Sequence, residues 1–208
     1  MRIQETKVYQ FDELTDSAKE RARDWYRQGI GEDTYWCEFV LEDAQTIAQL
    51  LGIELSTRTV RLMNNTTRQE PVIWWSLDRE SGACFSARYR YAKGCKAKLA
   101  QHIGDESKGD KTLHAIAQEL TQAQKSCGYR GIVDVTARDR SMTISCEDVS
   151  EPGLKAETFD KIESALQDFA HWIYSQLQAE WNYQNSDECV DESIQANEYE
   201  FTEEGERA

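Results

Sequence analysis

Residues 156–183, AETFDKIESALQDFAHWIYSQLQAEWNY, constrain the fold more than any other stretch of the chain. On a helix of 3.6 residues per turn, Phe159, Ile162, Leu166, Phe169, Ala170, Ile173, Leu177 and Trp181 fall on one stripe, with Glu157, Asp160 and Asp168 opposite. About 28 residues at 1.5 Å each make a rod of roughly 40 Å, long enough to cross a small domain. Such a rod has to bury its stripe, so the rest of the chain must supply a partner surface. The 208 residues suffice for one domain or two small ones, and six Trp, nine Tyr and six Phe give a folded composition.

Taken in order, residues 3–11 (IQETKVYQF) are rich in β-formers and are expected as a first strand. Leu14 and Thr15 read as a hydrophobic residue followed by an N-cap, opening a helix over 16–28 with Ala18, Ala22, Trp25 and Tyr26 inward; Gly29 and Gly31 end it. A second helix is expected from Tyr35 to Leu51, with Gly52 at the left-handed C-cap position. Its apolar stripe holds Trp36, Phe39, Val40, Ile47, Leu50 and Leu51, and Asp43 falls inside that stripe. Residues 53–91 (IELSTRTVRLM, VIWWSL, GACFSARYRY) read as an antiparallel meander with one solvated face, turning near Asn64-Asn65 and Ser81-Gly82. Helices follow over 93–103 and 110–126, then a hairpin of 129–137 and 141–149 turning at Asp139-Arg140. Pro152-Gly153 breaks the chain before the long helix, Ser186 can cap a short helix after it, and the last residues hold at most one small strand.

Strands in two blocks with helices between them indicate α+β: an antiparallel sheet packed against several helices, the long C-terminal one included. The simplest organisation is one domain over 1–186, with 187–208 an acidic helix and tail docked on it. The six cysteines (37, 84, 95, 127, 146 and 189) contain no CxxC or CxxxC pair, so reduced thiols are expected rather than a zinc knuckle or disulfides. No apolar run within residues 1–15 suits a secretory signal, and nowhere do 18 apolar residues run together, so a cytoplasmic protein without membrane association is expected.

No HExxH, GxSxG, Walker-type or GxGxxG pattern occurs, and no Cys has a His at a spacing that suggests a dyad. No catalytic residue and no cofactor is therefore expected. His102 and His114 fall on helical positions that look exposed, and His171 lies off the main stripe of the long helix. The i, i+4 carboxylate pairs Asp187/Asp191 and Glu188/Glu192 are read as solvated rather than as a metal site. Asp43 and Glu180, each inside an apolar stripe, are candidates for buried acids, either satisfied locally or lining a pocket.

Charge is distributed unevenly. The formal net charge is −14, from 38 acids and 24 bases, which disfavours generic nucleic-acid binding. Yet residues 56–101 carry nine Lys/Arg against three Asp/Glu, with arginines interleaved among aromatic residues, while 187–208 carry nine acids against one arginine. Three readings of the basic sheet are open: a nucleic-acid platform using Trp74, Trp75, Arg79, Arg88 and Arg90, neutralisation by the acidic C-terminal segment, or a plain solvated face.

The blocks VYQFDELTDSAKERARDWYR, WCEFVLEDAQTIAQLLGIE, GACFSARYRY and SDECVDESIQANEYEFTEEG resemble a family of small phage and prophage proteins labelled "antitoxin of toxin-antitoxin stability system". That resemblance implies a phage or prophage origin. Together with the acidic charge it leads to the expectation of a non-enzymatic protein that binds and neutralises a host protein, a toxin or an antiviral defence component in the manner of an anti-CRISPR protein, by mimicking nucleic-acid charge. The residues expected to carry binding are Asp187, Glu188, Asp191, Glu192, Glu198 and Glu200, with Tyr199 and Phe201 as apolar anchors.

Overall fold

The structure is a computed structural model that describes residues 7–31, 35–63, 65–78, 82–138, 141–146 and 154–208. The turns expected at Asn64, Ser81, Asp139-Arg140 and Pro152-Gly153 lie wholly or partly outside the described residues, as does Arg79. The architecture is α+β, with antiparallel strand pairing throughout the sheets and six α-helices. By internal contacts the chain forms two compact units: a terminal unit of Met1–Phe39 with Leu177–Ala208, and a central unit of Val40–Gln176.

The terminal unit joins the two ends of the chain. β1 (Tyr9–Gln10) pairs antiparallel with β10 (Glu200–Phe201), so that Tyr9 faces Phe201 in register. Only these two residues of the expected 3–11 strand form one; a 3-10 turn takes over at Phe11–Glu13, where the Glu13 carboxylate accepts from the Gln10 amide at 2.8 Å. Thr15 then adopts the extended N-cap conformation and α1 runs from Asp16 to Ile30. Ser186 caps α6 (Asp187–Ala196), its hydroxyl accepting from the Cys189 amide. Phe11, Leu14, Ala18, Ala22, Val190, Ile194 and Phe201 form the core, with Trp25 meeting the Phe201 ring edge-on at 5.7 Å. Gly205 has a φ of +86°, and a Cβ there would stand 2.1 Å from the Ala18 carbonyl oxygen. Only glycine lets the tail lie that close to α1.

In the central unit, α2 (Glu38–Leu51), whose first two residues belong to the terminal unit, ends at Gly52 (φ +85°), as a left-handed C-cap requires. Its buried face runs through Ala44, Ile47, Ala48 and Leu51, whereas Phe39 is 75% exposed. The stripe expected from the large side chains is therefore rotated. Alanines let the helix backbone approach its neighbours closely, and Asp43, about 100° around the helix from Ala44, turns outward. Asp43 is not a buried acid: its side chain is 55% exposed, with His102 Nε2 3.5 Å away.

A four-stranded antiparallel sheet follows the order β2 (Ile53–Leu55), β7 (Ala87–Arg90), β8 (Ile132–Arg138), β9 (Ser141–Cys146). Two ribbons accompany it, β3 (Thr57–Arg61) with β4 (Thr67–Pro71) and β5 (Ile73–Ser76) with β6 (Gly82–Phe85). The expected single meander is split. Three runs of extended chain break at Ser56, Val72 and Ser86, and these residues bond one another in a ring: Ser56 N–H to Ser86 carbonyl at 2.8 Å, Val72 N–H to Ser56 carbonyl at 2.7 Å, Ser86 N–H to Val72 carbonyl at 3.0 Å. Each run exchanges one strand partner for another at this three-way junction.

α3 (Cys95–Ile103), α4 (Lys111–Ser126) and the part of α5 (Ala156–Gln184) up to Gln176 complete this unit. The long stripe of α5 is buried as its periodicity requires, with Ile162, Leu166, Phe169 and Ile173 fully enclosed and Phe85 meeting Phe169 at 5.7 Å. Trp172, off that stripe, is also buried, and its indole N–H is satisfied by donating to Asp110 at 2.7 Å. Asp110 at the same time caps α4, accepting from the Thr112 and Leu113 amides. His114 is buried rather than exposed, its Nε2–H donating to the Gly104 carbonyl at 3.0 Å. Among the described residues no helix is long and apolar enough to cross a membrane.

Candidate functional site

The helical period sorts the carboxylates of α6 into two faces. Asp187 and Asp191, one turn apart, meet Arg27 and Arg23, one turn apart on α1. Arg23 holds Asp191 through two parallel bonds, Nε to Oδ1 at 2.6 Å and Nη2 to Oδ2 at 2.7 Å, and also bonds Glu20. The bond to Asp191 raises the guanidinium pKa further above its already high ordinary value. Asp191, its side chain mostly buried, ties α6 to α1, whereas Asp187 is paired but exposed; of the two acids expected to bind a partner, Asp191 is the one already engaged within the fold.

Glu188 and Glu192 lie on the other face, exposed, with no cationic partner among the described residues. Tyr183, 54% exposed, stands close to them. Cys189 and the Glu192 and Glu188 carboxylates act on its phenol and hold its pKa above the ordinary tyrosine value, and the ring presents a π-face beside two carboxylates. Glu198 (in the left-handed turn after α6) and Glu200 are exposed too. Phe201, by contrast, is fully buried, and Tyr199 packs edge-on against Trp25 at 5.2 Å. Neither is a free apolar anchor on the surface. The two-residue strand pairing of Tyr9 with Phe201 draws Phe201 into the core.

Behind Tyr199 opens a groove of about 640 Å³, lined by Trp25, Tyr26, Tyr35, Trp36, Phe39 and Tyr199 together with Gln28, Glu180 and Gln184. That volume is in the range of small-ligand sites. Trp36 leans on Trp181 at 5.2 Å, and the Trp25 and Tyr26 rings contact Tyr199, so its walls brace one another. Glu180, half-buried, is the groove's one acid and accepts a bond from Gln184 at 2.8 Å. The apolar-stripe anomaly at Glu180 therefore does mark a pocket; Asp43 is not among its lining residues. Sequence reasoning missed the aromatic wall because Trp25 and Tyr26 read only as inward helix positions.

Four arginines of the basic sheet have carboxylates beside them. Arg88 stands 3.8 Å from Asp134, Arg90 bonds Glu54, and Arg58 and Arg68 pair with Glu70. Trp74 is 46% exposed with the Arg58 guanidinium 5.2 Å over its ring, while Trp75 is half-buried. Charge is not shared evenly between the units. The terminal unit carries nineteen Asp and Glu against seven Lys and Arg, the central unit nineteen against seventeen, so twelve of the fourteen net negative charges belong to the terminal unit.

No curated protein and no solved structure matches the chain. A family model does, across residues 36–187, a span from Trp36 in the groove wall to Asp187 at the start of α6, and the chain belongs to the family described as Domain of unknown function (DUF8835).

Proposed function

We propose that this chain is a non-enzymatic binding protein whose acidic terminal unit captures a basic surface of a partner protein. The observation that carries the reading is the division of labour on α6: Asp191 is held by Arg23 and Asp187 pairs with Arg27, while Glu188 and Glu192 stand exposed beside Tyr183. Exposed carboxylates without a structural partner, in a unit so rich in acid, raise the local concentration of a cationic partner and steer its approach. Glu188 and Glu192 are about 6 Å apart along the helix axis. Lysines and arginines that a partner sets out to hold phosphates can meet these two like charges on one helix face. A protein surface built for nucleic acid is a fitting target. The resemblance to phage and prophage proteins supports a host target, a toxin or a component of antiviral defence, that the chain neutralises by occupying that surface.

The test is a tagged pull-down from nuclease-treated host lysate at low and high salt, comparing the natural chain with a Glu188→Lys/Glu192→Lys double variant. The expected result is one stoichiometric protein captured at low salt by the natural chain, released at high salt and not captured by the variant. Capture that is insensitive to both salt and the two substitutions overturns the reading.

A further inference from the structure

Glu180 is a half-buried carboxylate set among aromatic rings, and its one bond is to the neutral amide of Gln184. Among the described residues it has no cationic partner. An ionised carboxylate in partly apolar surroundings gains most from a cation that displaces its remaining water, and aromatic faces attract the same cation through their quadrupoles. The terminal unit already shows the preference of two of these rings. The guanidinium of its own Arg207 lies 4.9 Å from the Tyr199 ring centre and 5.8 Å from that of Trp25, while Arg207 is not itself among the residues lining the groove.

We infer that the groove bounded by Trp25, Tyr26, Trp36, Tyr199 and Glu180 receives an arginine side chain from a basic segment of the partner, the guanidinium stacking on the rings and pairing with the Glu180 carboxylate. Arginine fits better than lysine because its planar, weakly hydrated head stacks on aromatic faces while its edge offers two parallel donors to a carboxylate. The excess of twelve negative charges on this unit complements such a segment. This inference rests on the terminal unit being the one that engages a basic partner. It adds the side chain that is read and the place where it is read.

The experiment is calorimetric titration of the full chain with a capped hexapeptide of glycine and lysine bearing one central arginine, and with its twin carrying citrulline, which keeps the shape and removes the charge. The natural chain is expected to bind the arginine peptide about tenfold more tightly than the twin, the scale of a partly desolvated cation–π contact joined to an ion pair. Glu180→Gln, isosteric, should erase most of that difference. Phe39→Ala, which removes an exposed ring and leaves the core untouched, should weaken the arginine peptide while circular dichroism stays unchanged. Equal affinity for the two peptides, or full discrimination retained in Glu180→Gln, overturns the inference. If the Glu188→Lys/Glu192→Lys variant loses the pull-down partner while Glu180→Gln retains both partner and peptide, the groove assignment fails and the acidic-face reading stands. If the natural chain discriminates the peptides and captures no host protein, the reverse holds.

Discussion

Arg23 and Asp191 form a two-pronged ion pair across 168 positions of sequence, at 2.6 and 2.7 Å. Both side chains are less than one third exposed, and the same guanidinium lies 5.7 Å over the Phe11 ring of the core. The pair ties α6 to α1, the two helices between which the ends of the chain are held. Asp191→Asn keeps the shape, removes the charge and leaves a half-buried guanidinium with weaker partners. It is expected to cost about 1–2 kcal/mol in urea denaturation, whereas Glu192→Gln on the exposed face is expected to change stability by less than about 0.5 kcal/mol. Equal effects of the two substitutions would contradict the division of α6 into a structural and an open face. It follows that binding experiments belong on Glu188 and Glu192, since charge reversal at Asp191 is expected to cost stability as well as any binding.

Gly205→Ala is a second test of the same unit. The added methyl would meet the Ala18 carbonyl oxygen at 2.1 Å in a backbone conformation that L residues seldom adopt, and the obstacle is helix backbone that has no rotamer to change. A loss of about 2 kcal/mol or more is expected, with earlier proteolysis of the C-terminal tail. Unchanged stability and unchanged protease resistance would mean that the tail is not held on α1 in solution.

Much of the helical framework was legible in the sequence because its signals are local. Thr15 and Ser186 mark helix starts, Gly52 marks a stop, and the α5 stripe obeys one period over its whole length. The failures have a common physical cause in contacts that depend on distant residues. Ser56, Val72 and Ser86 look like ordinary strand positions, and only their mutual bonding splits the meander into separate sheets. Asp43 looked buried because the stripe was drawn through Phe39, when the packing face of α2 is built on small alanines. Asp191 looked open because its arginine lies at the other end of the chain. Glu180 was legible as an anomaly, but the groove that explains it needed Trp25, Tyr26 and Tyr199 brought together by the pairing of the termini.

Tyr89 gives a pH-dependent prediction for the central unit. Its ring is fully buried on β7, and burial holds the phenol well above its ordinary pKa of about 10. Since the folded value is raised, the folded state keeps this proton where the unfolded chain releases it. The contribution to stability is whole below pH 10 and is lost as pH rises beyond it. Tyr89→Phe keeps the ring and removes the titrating group. The decline of denaturation midpoint between pH 9 and 11 is expected to be shallower in this variant than in the natural chain. Parallel declines would show that the phenol does not stay protonated in the folded state.

The basic sheet yields the last prediction, and it is a negative one. Arg88 and Arg90 lie beside Asp134 and Glu54, and Arg58 and Arg68 share Glu70, so a phosphate approaching these arginines has to compete with carboxylates already in place. Counter-ion release, which supplies most non-specific nucleic-acid affinity, is correspondingly smaller for cations that already have a carboxylate beside them, and the net charge of −14 opposes association with a polyanion at low salt. The chain is therefore expected not to retard a single-stranded oligonucleotide at low salt, and Trp74→Ala and Arg88→Glu are expected to leave capture of the protein partner unchanged. Retardation that falls steeply with salt and is abolished by Trp74→Ala would instead make the aromatic ring with Arg58 stacked on it a base-stacking platform. The Glu188→Lys/Glu192→Lys variant, four charges more positive, would then bind the oligonucleotide more tightly than the natural chain.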